Sequence, residues 1–134
     1  DKVDVIVGPL VPHEKEIREA AKKVPGKVHV HRCPDNLREL MAGADVAISG
    51  CATTFFELSY LGVPAVVLAQ TPFERRFCDH LANAKLALNG TNALLTQWQA
   101  IQDRDLRESL VRKQMRVFDG QGPKRILETV GIPC

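Results

Sequence analysis

Residues 46–68, VAISGCATTFFELSYLGVPAVVL, decide the fold of this chain. The stretch opens with a short apolar segment, turns through small residues, continues with helical spacing and closes in the apolar run 65–68. Gly62 and Pro64 mark the end of the helix, because glycine accepts the left-handed conformation there and proline cannot continue a helix. The apolar run 65–68 is typical of a strand that is buried on both faces of a parallel sheet.

The same alternation continues on both sides of this stretch. Further strands are predicted at residues 3–7, 28–31 and 86–88, with helical spacing between them. This alternation predicts an α/β fold with a doubly wound, Rossmann-like parallel sheet covered by helices on both faces. In such sheets ligands bind beyond the carboxyl ends of the strands, here at the turns after Val7, Ser49 and Leu68.

The last third of the chain is predicted to be helical. Two apolar stripes at helical spacing, one ending at Ile101 and one at Phe118, predict two amphipathic helices. Trp98, the single tryptophan, lies in the first stripe and is predicted to be a core residue. Because the chain has 134 residues and no obvious linker, we expect one domain spanning residues 1–134.

Composition excludes several classes of function. The net charge of +2 and the 5% content of aromatic residues argue against a nucleic-acid-binding surface. The four cysteines lack CxxC spacing and form no ligand pattern with the four histidines, so we expect no metal site and no cofactor. Scattered cysteines and the lack of an apolar run of about 20 residues predict a cytoplasmic protein without a membrane span.

The turn at residues 49–54, SGCATT, is the candidate for chemistry. Free N–H groups in the first turn of a helix, together with the helix dipole, can bind phosphate oxygens, although the turn could also be a plain small-residue connection. Glu57 leaves two interpretations open: a capping box with Thr54, or a carboxylate that accepts hydrogen bonds from ribose hydroxyls. No GxGxxG or GxxxxGK[ST] motif is present.

Residues 44–64, ADVAISGCATTFFELSYLGVP, resemble a signature of GT-B enzymes of the MurG type. The resemblance is closest to the UDP-sugar hydrolases of pseudaminic acid synthesis and to the related spore-coat polysaccharide proteins called SpsG. Two flanking segments agree: VIVGP at residues 5–9, and DGQG at residues 119–122 followed by Arg125-Ile126. The resemblance implies that the chain is the C-terminal, nucleotide-binding domain of a two-domain GT-B protein.

The resemblance also implies roles for individual residues. The diphosphate would be bound at Cys51, Ala52, Thr53 and Thr54. Glu57 would take the ribose hydroxyls, and the uracil would lie near Cys33 and Leu37. Gln70 and Thr71 would face the sugar.

The chain departs from the family pattern at three places. Ala52 stands where the family has its second glycine, and Cys51 stands where glycine or alanine is usual. The family's acidic-Asn-Gln element is not matched, since residues 70–74 read QTPFE here. The chain also starts at what would be the family's second strand, so we expect a piece of a longer protein whose N-terminal domain carries the catalytic residues. Without the family's first strand, the expected strand order is 2-1-3-4-5.

The function expected from this resemblance is binding of the UDP part of a nucleotide sugar, within a UDP-sugar hydrolase-like enzyme of surface polysaccharide or nonulosonic acid synthesis. One alternative is the donor-binding domain of a MurG-like glycosyltransferase. Another is a non-catalytic nucleotide-binding or assembly module. The expected partners are UDP or a UDP-sugar and the missing N-terminal domain.

Overall fold

The computed structural model describes residues 2–131. No helix within this range is long and apolar enough to cross a lipid bilayer. The described chain forms two units, one up to Leu40 and one from Met41 onward. The elements are β1 (Lys2–Val7), α1 (Glu14–Lys23), β2 (Lys27–Arg32), α2 (Leu37–Ala42), β3 (Ala47–Gly50), α3 (Thr53–Tyr60), β4 (Ala65–Leu68), α4 (Pro72–Asn83), β5 (Leu88–Asn89), α5 (Leu94–Ala100), α6 (Arg104–Val117) and α7 (Gly122–Thr129).

The first unit is built on a parallel pair of strands. β1 pairs with β2 from Lys2↔Lys27 to Val7↔Arg32, and α1 packs against β2. The Asp4 carboxylate of β1 lies 2.8 Å from Nε2 of His31 on β2. The register pairs Asp4 with His29, so His31, two residues further along β2, is its diagonal neighbour on the same face of the strand pair.

The second unit is built on a parallel sheet of three strands in the order β3-β4-β5. Side chains of β4 alternate between two apolar clusters, since successive residues of a strand point to opposite faces. Ala65 and Val67 pack with Phe55 of α3, whereas Val66 packs with Ile101 and with Leu110 of α6. Both faces of β4 are therefore buried, as its continuous apolar sequence predicts.

The α/β class and the parallel pairing are confirmed, but the strand order 2-1-3-4-5 within one sheet is not. The hydrogen-bonded strands of residues 2–131 form two sheets, β1-β2 and β3-β4-β5, instead of one. The order within each sheet agrees with the prediction. The strands that pair within each sheet are consecutive in sequence and are joined by a single helix. β1 and β3 are not consecutive, so no single strand–helix–strand connection determines their pairing.

The C-terminal end of α3 is fixed as the sequence predicts. Gly62 has φ of +73°. Its N–H bonds to the carbonyl of Ser59 at 3.2 Å, and the N–H of Val63 bonds to the carbonyl of Leu58 at 2.9 Å. These two bonds form a Schellman motif, which satisfies the last carbonyls of the helix.

The end of α4 repeats this motif with lysine in the left-handed position. Lys85 has φ of +55°, and the N–H of Leu86 bonds to the carbonyl of Leu81 at 2.9 Å. A left-handed conformation costs a non-glycine residue about 1–2 kcal/mol, while glycine gives the unfolded chain extra entropy worth about 0.4–1 kcal/mol. Lys85→Gly should therefore raise the free energy of unfolding by about 0.5–1 kcal/mol.

Urea unfolding can measure this gain. Lys85→Ala is the matched control, because it removes the lysine side chain but keeps the left-handed penalty. The strain argument fails if Lys85→Ala stabilises the protein as much as Lys85→Gly does.

Candidate functional site

The predicted phosphate-binding turn is exposed in the structure. α3 begins at Thr53, and Ala52 is its N-cap, without a side-chain hydrogen bond to the helix. Ala52, Thr53 and Thr54 are all exposed. Because the first N–H groups of a helix have no intrahelical acceptor, those of Thr53 and Thr54 are open to an anion from solvent.

Cys51 occupies this turn in a different way from its neighbours. Its side chain is 3% exposed and belongs to the core cluster that includes Phe55 and Cys78. The Cys51 thiol lies 3.4 Å from the carbonyl oxygen of Glu74 on α4. Burial is the main cause that raises the pKa of Cys78 to about 12, with Cys51 as a further cause. The Cys51 side chain thus anchors the turn to the core, and only its backbone remains for a ligand.

Glu57 does not form the capping box that Thr54-x-x-Glu57 suggests. The N-cap is Ala52, two residues before Thr54, and no side chain caps α3. The box forms instead at the start of α4, where the Thr71 hydroxyl accepts from the Glu74 N–H and the Glu74 carboxylate accepts from the Thr71 N–H. The capping interpretation of Glu57 is therefore wrong, and its exposed carboxylate makes no hydrogen bond or ion pair within residues 2–131.

An open groove of about 380 Å³ lies beside Glu57. One wall is the outer face of α3, and the other is the end of α6, the turn of residues 119–122 and the start of α7. The lining residues are Phe56, Glu57, Tyr60, Val117, Phe118, Asp119, Gly120, Gly122, Pro123 and Arg125. Two of the three sequence segments that carry the resemblance, residues 44–64 and residues 119–126, therefore contribute to this groove.

Aromatic packing joins the groove to the core. The ring of Phe118 makes an edge contact with buried Phe55, with centroids 5.9 Å apart, and a tilted contact with Phe56 at 5.5 Å. Phe56 also contacts Phe77 of α4, at 6.0 Å. Edge and tilted contacts at these distances are favourable for aromatic rings. They fix the end of α6 against α3 near the groove.

The wall opposite α3 is held by an ion pair. The Asp119 carboxylate accepts from Nη1 and Nη2 of Arg125, both at 2.9 Å, and from the N–H of Gln121 at 3.0 Å. Next to it, Gly120 has φ of +73°, and a Cβ atom placed there would lie 2.8 Å from Cε2 of Tyr60. Glycine suits this position because it adopts the left-handed conformation without strain and leaves room for the close approach of the Tyr60 ring.

Comparison with curated proteins finds a distant relative. A protein of Methanocaldococcus jannaschii, described only as uncharacterized, is 33% identical to this chain over 79 residues. These residues make up 58% of this chain and 16% of the archaeal protein, so the chain spans a small part of that relative's length. No family model matches the chain, and no solved structure matches it.

The Asp119–Arg125 pair gives a testable pH dependence. Hydrogen bonds from Arg125, and then from the Gln121 N–H, lower the pKa of Asp119 from its ordinary 3.8 to about 2. Because the pKa is lower in the folded protein, the pair stabilises the fold above pH 3.8, and this contribution is lost as the pH falls towards 2.

An NMR titration of the Asp119 carboxyl carbon should give a midpoint near pH 2. In Arg125→Gln the midpoint should move back up towards the ordinary value of 3.8. A midpoint that is the same in both proteins would contradict the assignment of Arg125 as the main cause.

The residues predicted to face the sugar lie at the carboxyl end of β4, in the second unit. The Thr71 hydroxyl is the N-cap of α4, and the Glu74 carboxylate also accepts from the Gln70 N–H at 2.6 Å. The side chain of Gln70 makes no hydrogen bond within residues 2–131 and remains available. The Glu74 carboxylate is therefore used to cap the start of α4. That Gln70 and Thr71 contact a sugar stays a prediction.

The residues predicted to lie near the uracil belong to the first unit. Cys33 is exposed and follows β2 with φ of +44°, and its N–H bonds to the carbonyl of Val7 at 3.0 Å. Leu37 is the first residue of α2. Residues 52–54, Glu57 and the groove all belong to the second unit, although residues 52–54 do not line the groove, whereas Cys33 and Leu37 belong to the first unit.

Sequence reasoning did not single out the apolar groove residues Phe56, Tyr60 and Phe118. One signal was available: Phe56 and Tyr60 are four residues apart and Glu57 and Tyr60 are three apart, so Tyr60 is a neighbour of both on the helix surface. Their exposed fractions are 40% and 58%, which is high for large apolar rings. Phe118 and residues 119–125 line the groove only because α6 packs against α3, and the local sequence does not predict this packing.

Proposed function

We propose that this chain binds the UDP part of a nucleotide sugar, as the C-terminal half of a UDP-sugar hydrolase-like enzyme. The observation that carries the proposal is the placement of Glu57. Its carboxylate is free of helix capping, opens onto a groove and lies one helical turn beyond the exposed first turn of α3. The spacing suits a ribose next to a diphosphate, since a residue four positions along a helix lies about 6 Å further on.

The distribution of charge also supports a phosphate site at the N-terminus of α3. The first turn of α3 contains no acidic residue, so the partial positive charge at its N-terminus is not neutralised locally. The arginine of the groove, Arg125, is engaged by Asp119 through both terminal nitrogens. Phosphate oxygens would therefore bind at Ala52, Thr53 and Thr54, and the groove beside Glu57 would take an uncharged part of the ligand.

Calorimetric titration of the chain with UDP, uridine and inorganic pyrophosphate tests the proposal. UDP should bind more tightly than either of the others, because it alone reaches both the α3 amides and Glu57. We also expect no release of UDP from UDP-N-acetylglucosamine by this chain, since the catalytic residues are expected in the other domain. If UDP binds no more tightly than pyrophosphate, the turn is a general anion site or none, and the proposal fails.

A further inference from the structure

We propose that the turn of residues 119–122 is a positioning element for Glu57, acting through Tyr60. The inference rests on the proposed function, because it concerns how Glu57 meets the ribose hydroxyls. The turn itself would touch neither the diphosphate nor the reacting bond. Its role is to hold the Tyr60 ring in place beside the Glu57 side chain.

The first step is the rigidity of the turn. Asp119 accepts three hydrogen bonds, two from Arg125 and one from the Gln121 N–H within the turn itself. Two parallel bonds between guanidinium and carboxylate fix relative orientation as well as distance. The ion pair thus connects the end of α6 to the first turns of α7 and fixes the loop between them.

The second step is the contact of the turn with Tyr60. The atoms nearest to a Cβ built on Gly120 are Cε2, Cζ and Cδ2 of Tyr60, at 2.8, 3.5 and 3.6 Å. The edge of the tyrosine ring therefore lies directly against the glycine backbone. Although Tyr60 is 58% exposed, one side of its ring is in contact, and the turn limits the directions in which the ring can move.

The third step leads from Tyr60 to Glu57. Residues three apart on a helix are neighbours on its surface, with Cβ atoms about 5–6 Å apart. Both side chains line the same groove. A ring held at this position restricts the Glu57 side chain before any ligand arrives, and so lowers the entropy lost when its carboxylate binds a pair of hydroxyls.

Gly120→Ala tests this inference, because the added methyl group would displace the Tyr60 ring. Affinity for UDP should fall roughly three- to tenfold, the range expected when one side chain loses its preorganisation. Affinity for 2′,3′-dideoxyuridine diphosphate and for pyrophosphate should not change, because neither ligand uses Glu57. The ratio of UDP affinity to dideoxy-UDP affinity is the readout that a merely structural role would not change.

Gly62→Ala is the matched control. Gly62 has the same φ of +73°, but a Cβ there would meet its nearest atoms at 3.6 and 3.9 Å, which are ordinary contacts. This variant carries the backbone strain without displacing Tyr60, so its affinity ratio should equal that of the unaltered chain. Tyr60→Ala should lower the ratio by itself, and Gly120→Ala should lower it no further in that background.

Arg125→Gln keeps the inference testable if Gly120→Ala does not fold. Loss of the Asp119–Arg125 pair should make the turn of residues 119–122 more mobile. The ratio of UDP affinity to dideoxy-UDP affinity should then fall, while pyrophosphate affinity stays constant. An unchanged ratio in folded Gly120→Ala or Arg125→Gln overturns the inference, and so does an equal loss for UDP and pyrophosphate. Failure of the unaltered chain to bind UDP more tightly than pyrophosphate overturns the proposed function and this inference together, and is seen before any variant is made.

Discussion

Replacing Phe55 with alanine should destabilise the second unit by about 3–5 kcal/mol, the range measured for removal of a buried phenylalanine ring. Phe55 is 0% exposed and packs with Ala65 and Val67 of β4 on one side of the sheet. Its ring also contacts Phe118, which holds the end of α6. The loss combines the transfer of the ring to water with a cavity that rigid strand neighbours cannot fill.

Urea unfolding followed by the fluorescence of Trp98 can measure this loss. Trp98 is the single tryptophan and lies on α5 in the second unit, so its signal reports on that unit. Phe73→Ala is the control: Phe73 is 81% exposed, and its loss should change the free energy of unfolding by no more than about 0.5 kcal/mol. A loss below about 1 kcal/mol for Phe55→Ala would show that Phe55 is not at the centre of the core.

Replacing Glu57 with glutamine should weaken UDP binding by roughly 10- to 100-fold, if the proposed function holds. The substitution keeps the shape of the side chain but removes the negative charge that strengthens hydrogen bonds from hydroxyls. Since Glu57 does not cap α3, the same change should leave the free energy of unfolding within about 0.5 kcal/mol of the unaltered chain. Affinity and stability are therefore expected to separate in this variant.

Calorimetry with UDP and urea unfolding measure the two quantities. Asp105→Asn on α6 makes the same change of charge at an exposed position away from the groove lining, and should alter UDP affinity little. Two results would contradict the role of Glu57. One is an unchanged UDP affinity in Glu57→Gln, and the other is an equal effect of Asp105→Asn.

Residues 46–68 were predictable because their signals are local. The strand at residues 65–68 is observed as Ala65–Leu68, and Gly62 adopts the left-handed conformation expected at the end of α3. Glycine conformation, the proline stop and an apolar run each depend on a few neighbouring residues. The prediction that this turn binds phosphate stays a prediction, although its exposure agrees with that role.

The two Thr-x-x-Glu patterns show that a local sequence pattern does not by itself predict a capping box. Both have the sequence of a capping box, yet Thr71 and Glu74 form one and Thr54 and Glu57 do not. The difference lies in where each helix begins. Cys51 is anchored in the core, and α3 starts at Thr53 with Ala52 as its N-cap, which moves Thr54 into the helix.

Trp98 shows the same dependence on packing. Its helical spacing predicted a core residue, but 42% of its surface is exposed. Ile101 at the end of the same stripe is fully buried and packs with Val66 of β4. An amphipathic stripe gives the side of a helix that faces the protein, whereas the depth of each residue depends on the distance to the neighbouring element.

The sequence by itself determined the class of fold, the parallel strand–helix–strand unit and the position of the exposed turn, because backbone preferences and hydrophobic spacing act over a few residues. Only the tertiary structure decided that Glu57 is free of capping and that Asp119, Gly120 and Arg125 stand across a groove from it. The physical reason is that α6 returns the chain to α3 through contacts between residues far apart in sequence, such as Phe118 with Phe55. These contacts depend on side-chain shape and packing, and no local pattern encodes their geometry.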